Sequence, residues 1–261
     1  MTYIDAHSHL ADPRLESRLD QVLFNAREKN ITQFLQGGVG PEDWRRQLDL
    51  QKKYPGILPC FGLHPYWVAD HSEAECDQAL DELARLLPKA KALGEAGLDF
   101  RPHISKGSEH RQIDVFEKQI ELAKVAELPL VLHLVRCRDE ALRILDVWGL
   151  PQRGAMVHSF NGSAKEAEEY LQLGCHLSVG GPLCRPDNLR LKQAVQMIPM
   201  DRLFIETDSP DQPPPGIEPE HNEPATLIQV AEEVGKIRKI STEEVLKMTT
   251  ENLRKWLVHS E

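Results

Sequence analysis

Two histidines two residues apart, in Tyr3-Ile4-Asp5-Ala6-His7-Ser8-His9, are the first residues along the chain that could do chemistry. Tyr3 and Ile4 read as the start of a buried strand, and side chains at i and i+2 on a strand share one face. Two neutral imidazoles side by side at a strand end suit a divalent transition metal such as Zn, Mn, Co or Fe. A chance pair on a solvated strand edge is the alternative at this point. Further along, polar groups again follow apolar runs. His64 follows Cys60-Phe61-Gly62-Leu63, Glu95 follows Ala92-Leu93-Gly94 and His133 follows Leu130-Val131-Leu132. His158 follows Ala155-Met156-Val157, and Asp208 closes Leu203-Phe204-Ile205-Glu206-Thr207. One histidine at a strand end is more often a hydrogen-bonded core residue than a ligand. Six candidate ligands (His7, His9, Glu95, His133, His158 and Asp208) on five different strands are much harder to explain that way.

Those residues need elements that deliver them to one place. Residues 3–6, 32–36, 58–62, 90–95, 130–133, 155–158, 176–179 and 203–206 read as strands. Helical patterns alternate with them near 15–29, 42–53, 73–87, 115–126, 139–148, 164–173, 188–197 and 223–236. In 115–126, for example, Val115, Ile120, Leu122, Ala123 and Ala126 leave the polar residues to the other side. Eight β/α repeats in 261 residues predict the α/β class and a (β/α)8 TIM barrel, one domain spanning 1–261. Catalytic groups of that fold gather where the strands end, at the C-terminal face. A doubly wound sheet competes, but no Gly-rich dinucleotide or P-loop fingerprint supports it. A further helix at the C-terminus, capped by Ser241 or Thr242, carries Val245, Leu246, Leu253 and Leu257. The Pro-rich residues 210–219 read as a shaped loop after the eighth strand.

Composition, 41% hydrophobic and 28% charged, is that of a chain able to bury a sizeable core. No apolar run approaches a membrane span, and strand-like sequence from residue 3 leaves no stretch for a signal peptide. Five cysteines without a C-x-x-C pair argue against a disulfide framework and for a reducing cytoplasm. A net charge of −10 argues against a protein that coats long nucleic acid by charge alone. It does not exclude a nuclease whose bound cations reverse the field locally.

The motifs then form an ordered set over essentially the whole chain. They are Ile4-Asp5-Ala6-His7-Ser8-His9-Leu10, Gly62-Leu63-His64-Pro65 and Gly94-Glu95-Ala96-Gly97-Leu98-Asp99. They continue with His158-Ser159-Phe160-Asn161-Gly162-Ser163, Ile205-Glu206-Thr207-Asp208-Ser209-Pro210, Asn222-Glu223-Pro224 and Thr250-Glu251-Asn252. This set resembles the TatD-type metal-dependent hydrolases, a branch of the amidohydrolase superfamily. The resemblance implies a binuclear site. One divalent cation would take His7, His9, Glu95 and Asp208, and a second Glu95, His133 and His158, with Glu95 bridging. A water acidified between the cations would be the nucleophile, with Asp208 as proton shuttle. Zn, Mn, Ni, Co, Fe or Mg could serve, Mg being least natural beside so many imidazoles.

Other residues have lesser parts in this expectation. His64 is expected to contact substrate or support a ligand. Glu206, two residues before Asp208, orients a ligand or fills a polar barrel layer, and Asp99 bonds a ligand imidazole or organises its loop. Family members usually carry an arginine two residues beyond the fifth-strand histidine, where it can meet substrate phosphate. Here that position is Val135, and Arg136 or Arg138 could substitute. Phe100, Phe160 or the Tyr66-Trp67 pair could stack a terminal base. Cys137 and Cys184 are expected to pack, and His71, His103, His110, His176, His221 and His259 to be surface or structural.

The resemblance implies a phosphodiesterase, foremost a deoxyribonuclease trimming DNA from an end in the manner of a 3′-5′ exonuclease. A small-molecule ester, lactone or amide hydrolase using the same site is the alternative. A non-catalytic binding barrel is the third reading and predicts a lost ligand, but all six are present. The expected partners are a DNA end or a small phosphodiester or ester, with no membrane and no protein partner evident.

Overall fold

The computed structural model describes residues 1–258. Eight parallel strands alternate with helices to form a (β/α)8 TIM barrel. The strands are Tyr3–Ser8, Ile31–Gln36, an interrupted third, Ala92–Asp99, Leu130–Val135, Ala155–Val157, His176–Val179 and Leu203–Ile205. The third divides into Ile57–Leu58 and Cys60–Phe61 at Pro59, which has no N–H to give a ladder. Its carbonyl still accepts from the Lys91 N–H at 2.7 Å. The barrel closes where the Asp208 N–H donates to the His7 carbonyl at 3.0 Å, and the His9 N–H to the Ser209 carbonyl at 2.7 Å.

Ile4, Ala6, Leu35, Cys60, Ala92, Val131, Met156 and Phe204 pack together as one buried cluster. Leu253 and Trp256 of the last helix, Thr242–Leu257, complete it. Ser241 caps that helix by accepting from the Glu244 N–H. A larger apolar shell lies between the strands and the surrounding helices. Leu19–Glu28, for instance, buries Leu19, Val22, Leu23 and Ala26, one stripe at helical spacing. Among the described residues no helix is long and apolar enough to cross a membrane.

Several elements differ from the sequence expectation. The fourth strand runs on through Glu95 to Asp99, and the fifth through His133 to Val135. A short helix, Pro65–Asp70, follows the third strand, and the helix expected over 115–126 begins earlier, spanning Glu109–Val125. The first helical stretch divides into a 3-10 turn, Pro13–Arg18, and the helix Leu19–Glu28. His259 lies outside the described residues.

Candidate metal centre

Three glycines decide how the strand ends meet. A Cβ at Gly38 would lie 2.2 Å from the Gly94 carbonyl oxygen, and one at Gly62 only 2.5 Å from Gly94 backbone. Without side chains there, the Gly38 N–H reaches the Gly94 carbonyl at 3.0 Å and the Glu95 N–H reaches the Gly38 carbonyl at 2.9 Å. The second and fourth strands thus bond directly beyond the end of the third, next to Glu95. Buried glutamines on the outer helices replace the lost ladder. Gln47 accepts from Cys60 N–H at 3.0 Å and donates to the Gly37 carbonyl at 3.1 Å. Gln119 grips both backbone groups of Leu63, and Gln112 both of Asp99. Buried backbone groups cannot stay unpaired, so these amides fix the segments that carry His64 and Asp99.

On that frame the six predicted ligands converge. Glu95 Oε1 lies 3.2 Å from His9 Nε2 and 3.5 Å from His7 Nε2. Its other oxygen, Oε2, lies 2.7 Å from His158 Nε2 and 3.3 Å from His133 Nδ1. Asp208 Oδ1 completes the first group, 3.4 Å from His9 Nε2 and 3.6 Å from His7 Nε2. His64 joins the second group, its Nε2 3.2 Å from His133 Nδ1 and 3.6 Å from Glu95 Oε2. It sits closer to the cluster than the expected supporting place. Its Nδ1 accepts from the Tyr66 N–H and so caps the helix Pro65–Asp70.

The cluster has the marks of a cation site. His7 and Glu95 are buried, yet His7 Nε2 and Glu95 Oε1 have no hydrogen-bond partner. Burying an ionised carboxylate among unpaired imidazole nitrogens is costly unless a charge of opposite sign completes it. Space is kept as well: a Cβ at Gly37 would lie 2.4 Å from His9 Cε1 and 2.7 Å from Glu95 Oε1. Nitrogen and carboxylate donors in these proportions fit divalent transition metals. Burial alone would raise the Glu95 carboxyl, but the imidazoles of His158, His7, His64 and His9 hold it well below the usual carboxylate range. Burial opposes ionisation of Asp208 too, and His9, His158 and His7 bring it to about 2. His9, which burial would lower, is carried to about 9 by Glu95 and Asp208. His64 is pushed well down, by burial and then by His133.

Each outer partner has a place. Asp99 Oδ2 lies 3.1 Å from His133 Nε2 and bonds Arg101 Nη2 at 2.6 Å. Asp99 thus touches both the His133 imidazole and the Arg101 side chain of its own loop. Glu206 Oε1 is 3.8 Å from His158 Nδ1, too long for a hydrogen bond, and instead accepts from the Ser159 N–H. Asp208 sits at φ 51 in the left-handed region, and its Oδ2 accepts from Gln212 in the Pro-rich loop.

The cleft above the cluster has a volume of about 1490 Å3, with Tyr66, Phe100, Phe160 and Arg136 among its walls. Trp67 is not among them: it stacks on His71, ring centroids 3.7 Å apart, beside a separate surface pocket. Arg138 is committed to Glu169 and Asp139, at 2.8 Å and 2.6 Å, so its guanidinium is already balanced. Cys137 is buried and Cys184 partly so. His103, His110 and His221 are exposed, and His176 stacks on Phe204.

Sequence reasoning missed Asp5, the three glutamines, Arg101 and Gln212. Asp5 accepts from Thr207 Oγ1 at 2.6 Å and from the His7 and Thr207 N–H groups, and burial pushes its carboxyl up to about 8. Its place in the Asp5-x-His7-x-His9 alternation was a signal available in the chain.

The model for the TatD related DNase family matches residues 4–258. The chain belongs to this family. Membership makes it a metal-dependent hydrolase acting on ester bonds. The TatD relatives include the Bacillus subtilis metal-dependent hydrolase YabD, 31% identical, covering 96% of this chain and 97% of that protein. A Rahnella sp. protein named 3′-5′ ssDNA/RNA exonuclease TatD is 33% identical, covering 90% of each. The crystal structure of YjjV, a TatD homologue from Escherichia coli, superposes with a TM-score of 0.90 at 29% identity, covering 97% of both chains.

Proposed function

We propose that this TatD-family chain is a phosphodiesterase working with two divalent cations, and that it trims single-stranded DNA from its 3′ end. The observation that carries the reading is Glu95, whose two carboxylate oxygens each face a separate group of imidazoles. We assign His7, His9, Glu95 and Asp208 to one cation and Glu95, His133 and His158 to the other. His64 stands beside the second group and is available to it or to substrate. The imidazole-rich sets suit Zn, Mn, Ni, Co or Fe better than Mg. When bound, such cations supply Lewis acidity toward the phosphate and acidify a water molecule.

The protein's own groups do the rest. Glu95 would contribute a ligand at both positions, and its negative charge would offset part of that of the cations. Asp208 takes the proton of the attacking water at a carboxylate oxygen while Gln212 holds its Oδ2. As the phosphorus–oxygen bond breaks, Asp208 returns that proton to the departing sugar oxygen. Asp99 sets the orientation of His133, Glu206 that of the Ser159 turn, and Tyr66, Phe100 or Phe160 offers a face to a terminal base. Support for DNA comes from the family description and from the exonuclease named among the relatives. The five free cysteines suit a reducing compartment, and we place the protein in the cytoplasm.

A second reading, a small-molecule ester, lactone or amide hydrolase, draws on the balanced Arg138 and the net charge of −10. Metal-loaded protein incubated with a 5′-labelled single-stranded oligonucleotide tests the choice. Stepwise mononucleotide release abolished by chelator is expected. An intact oligonucleotide beside hydrolysed lactones or simple esters would overturn the phosphodiester reading.

A further inference from the structure

Two pockets meet at the short helix Pro65–Asp70. Tyr66 lines the cleft over the metal cluster, while Trp67, the next residue, lines a second pocket of about 450 Å3 with Val39, Gly40, Glu42, Arg46 and His71. The two share a wall. Gly37 lies against His9, His7 and Glu95, all of which a Cβ there would approach within 2.7 Å. The Gly38 carbonyl accepts from the Glu95 N–H at 2.9 Å, and the Val39 carbonyl from the His64 N–H at 3.1 Å. Gly40 then lies against Trp67, where a Cβ would come 2.6 Å from Cδ1. Four consecutive residues thus touch the cluster at one end and the second pocket at the other.

Flat rings and unpaired hydrogen-bonding groups build this second pocket. Trp67 and His71 are both half-buried and stack with their planes 12° apart. His71 Nδ1 donates to the Trp67 carbonyl at 2.7 Å, since a carbonyl only accepts, and Nε2 is left without a hydrogen bond among the described residues. Arg46 Nε donates to the Ala11 carbonyl at 3.0 Å, which holds the guanidinium here and leaves both Nη groups unbonded among the described residues. Glu42 is exposed on the same wall, whereas Asp43 turns inward to the Val39 N–H at 3.0 Å and Gln47 at 2.8 Å. A nucleobase matches this set, because it offers a face for stacking and an edge that both gives and accepts hydrogen bonds. An aliphatic chain would leave the polar edge unpaired, and a simple anion would meet Glu42. The volume is that of a site for a small organic ring system.

We infer that the Trp67–His71 pocket binds a nucleobase, as a subsite for a nucleotide of the strand remote from the bond being cleaved. This rests on the phosphodiesterase reading and deepens it: strands long enough to place a base beyond the helix Pro65–Asp70 are the preferred substrates. A free nucleotide presents the same ring and is the other source of this chemistry.

The test uses metal-loaded protein, single-stranded oligonucleotides of increasing length from the dinucleotide, and deoxyadenosine monophosphate. Wild type should gain about tenfold in kcat/KM over the dinucleotide once the strand reaches the pocket, and an abasic site at the gaining position should remove the gain. W67L should bring the long-to-short ratio close to one. H71A and R46Q, which take one ring or one charge from the pocket wall, should lower the ratio by smaller factors, so the result does not rest on one half-buried side chain. K52Q, where Lys52 pairs with Asp49 on an exposed helix face, should keep the wild-type ratio. Loss of the gain both in W67L and at the abasic site supports the subsite with the substrate strand as its source. Without that loss, deoxyadenosine monophosphate affinity weakened about tenfold in W67L, read by calorimetry, supports it with a free nucleotide as its source. Neither loss overturns it. Should wild type leave every oligonucleotide intact, the phosphodiesterase reading falls and calorimetry alone decides the pocket. Weaker binding of the nucleotide in W67L and H71A then supports it, and equal affinity overturns it.

Discussion

At the floor of the cleft His133 and Asp208 are each held from two sides, whereas at its rim Arg101 and Arg136 are held from one side or none. His133 stands between Glu95 and Asp99, and Asp208 between His9 and Gln212. At the rim, Arg101 is braced along one edge, Tyr66 is 36% exposed and Arg136 has no carboxylate partner among the described residues. The floor is a consequence of backbone: glycines at 37, 38, 62 and 94 bring strand ends together, and glutamines from the helices fasten them. The rim is a consequence of reach.

That contrast can be broken or sharpened by substitution. The largest effect is expected at the floor: Glu95→Ala should lower kcat by at least about 10³-fold, read in steady-state hydrolysis at saturating metal. Asp99→Asn keeps the shape and weakens the hold on His133, so activity or metal affinity should fall by about 10- to 100-fold. An unchanged metal titration together with unchanged kcat would show that His133 needs no brace.

A third expectation concerns the opposite end of the barrel. His176 begins the seventh strand, stacked on Phe204, and burial with nearby Arg202 pushes its imidazole down to about 4. The unfolded chain takes up that proton near pH 6.5, so His176 contributes fully above this value. Its contribution is lost as pH falls from about 6.5 toward 4. Urea midpoints measured at pH 7 and pH 5 should therefore separate less in His176→Phe than in wild type. Equal separation would contradict the assignment. The smallest effect is expected from Arg138→Ala, whose guanidinium is committed to Glu169: kcat/KM should change less than about twofold. A larger loss would return Arg138 to the substrate site.

The floor was largely legible in the sequence because each of its side chains stands at or near the end of an apolar run, and a barrel brings such ends together. His7, His9, Glu95, His133, His158 and Asp208 all meet, although their roles as ligands stand as a proposal. The strand bounds were harder. The strand expected over 90–95 continues to Asp99, where Gly94 and Gly97 accept close backbone neighbours that a side chain would exclude. The helix Pro65–Asp70 escaped notice because its cap is His64, outside the usual Ser, Thr, Asp and Asn signals. Gln47, Gln112 and Gln119 look in sequence like solvent-facing helix residues. Only tertiary packing shows them turned inward against strand backbone. Arg136 and Arg138 could not be ranked by position, since a guanidinium reaches several residues away and its partners decide its use.

Titrating metal-free protein with Zn or Mn in a calorimeter, wild type beside Glu95→Ala, bears most directly on the shared-carboxylate claim. Two equivalents should bind per wild-type chain, and the loss of one side chain should weaken both together. A single equivalent in wild type, or two retained at native affinity in the variant, would contradict it.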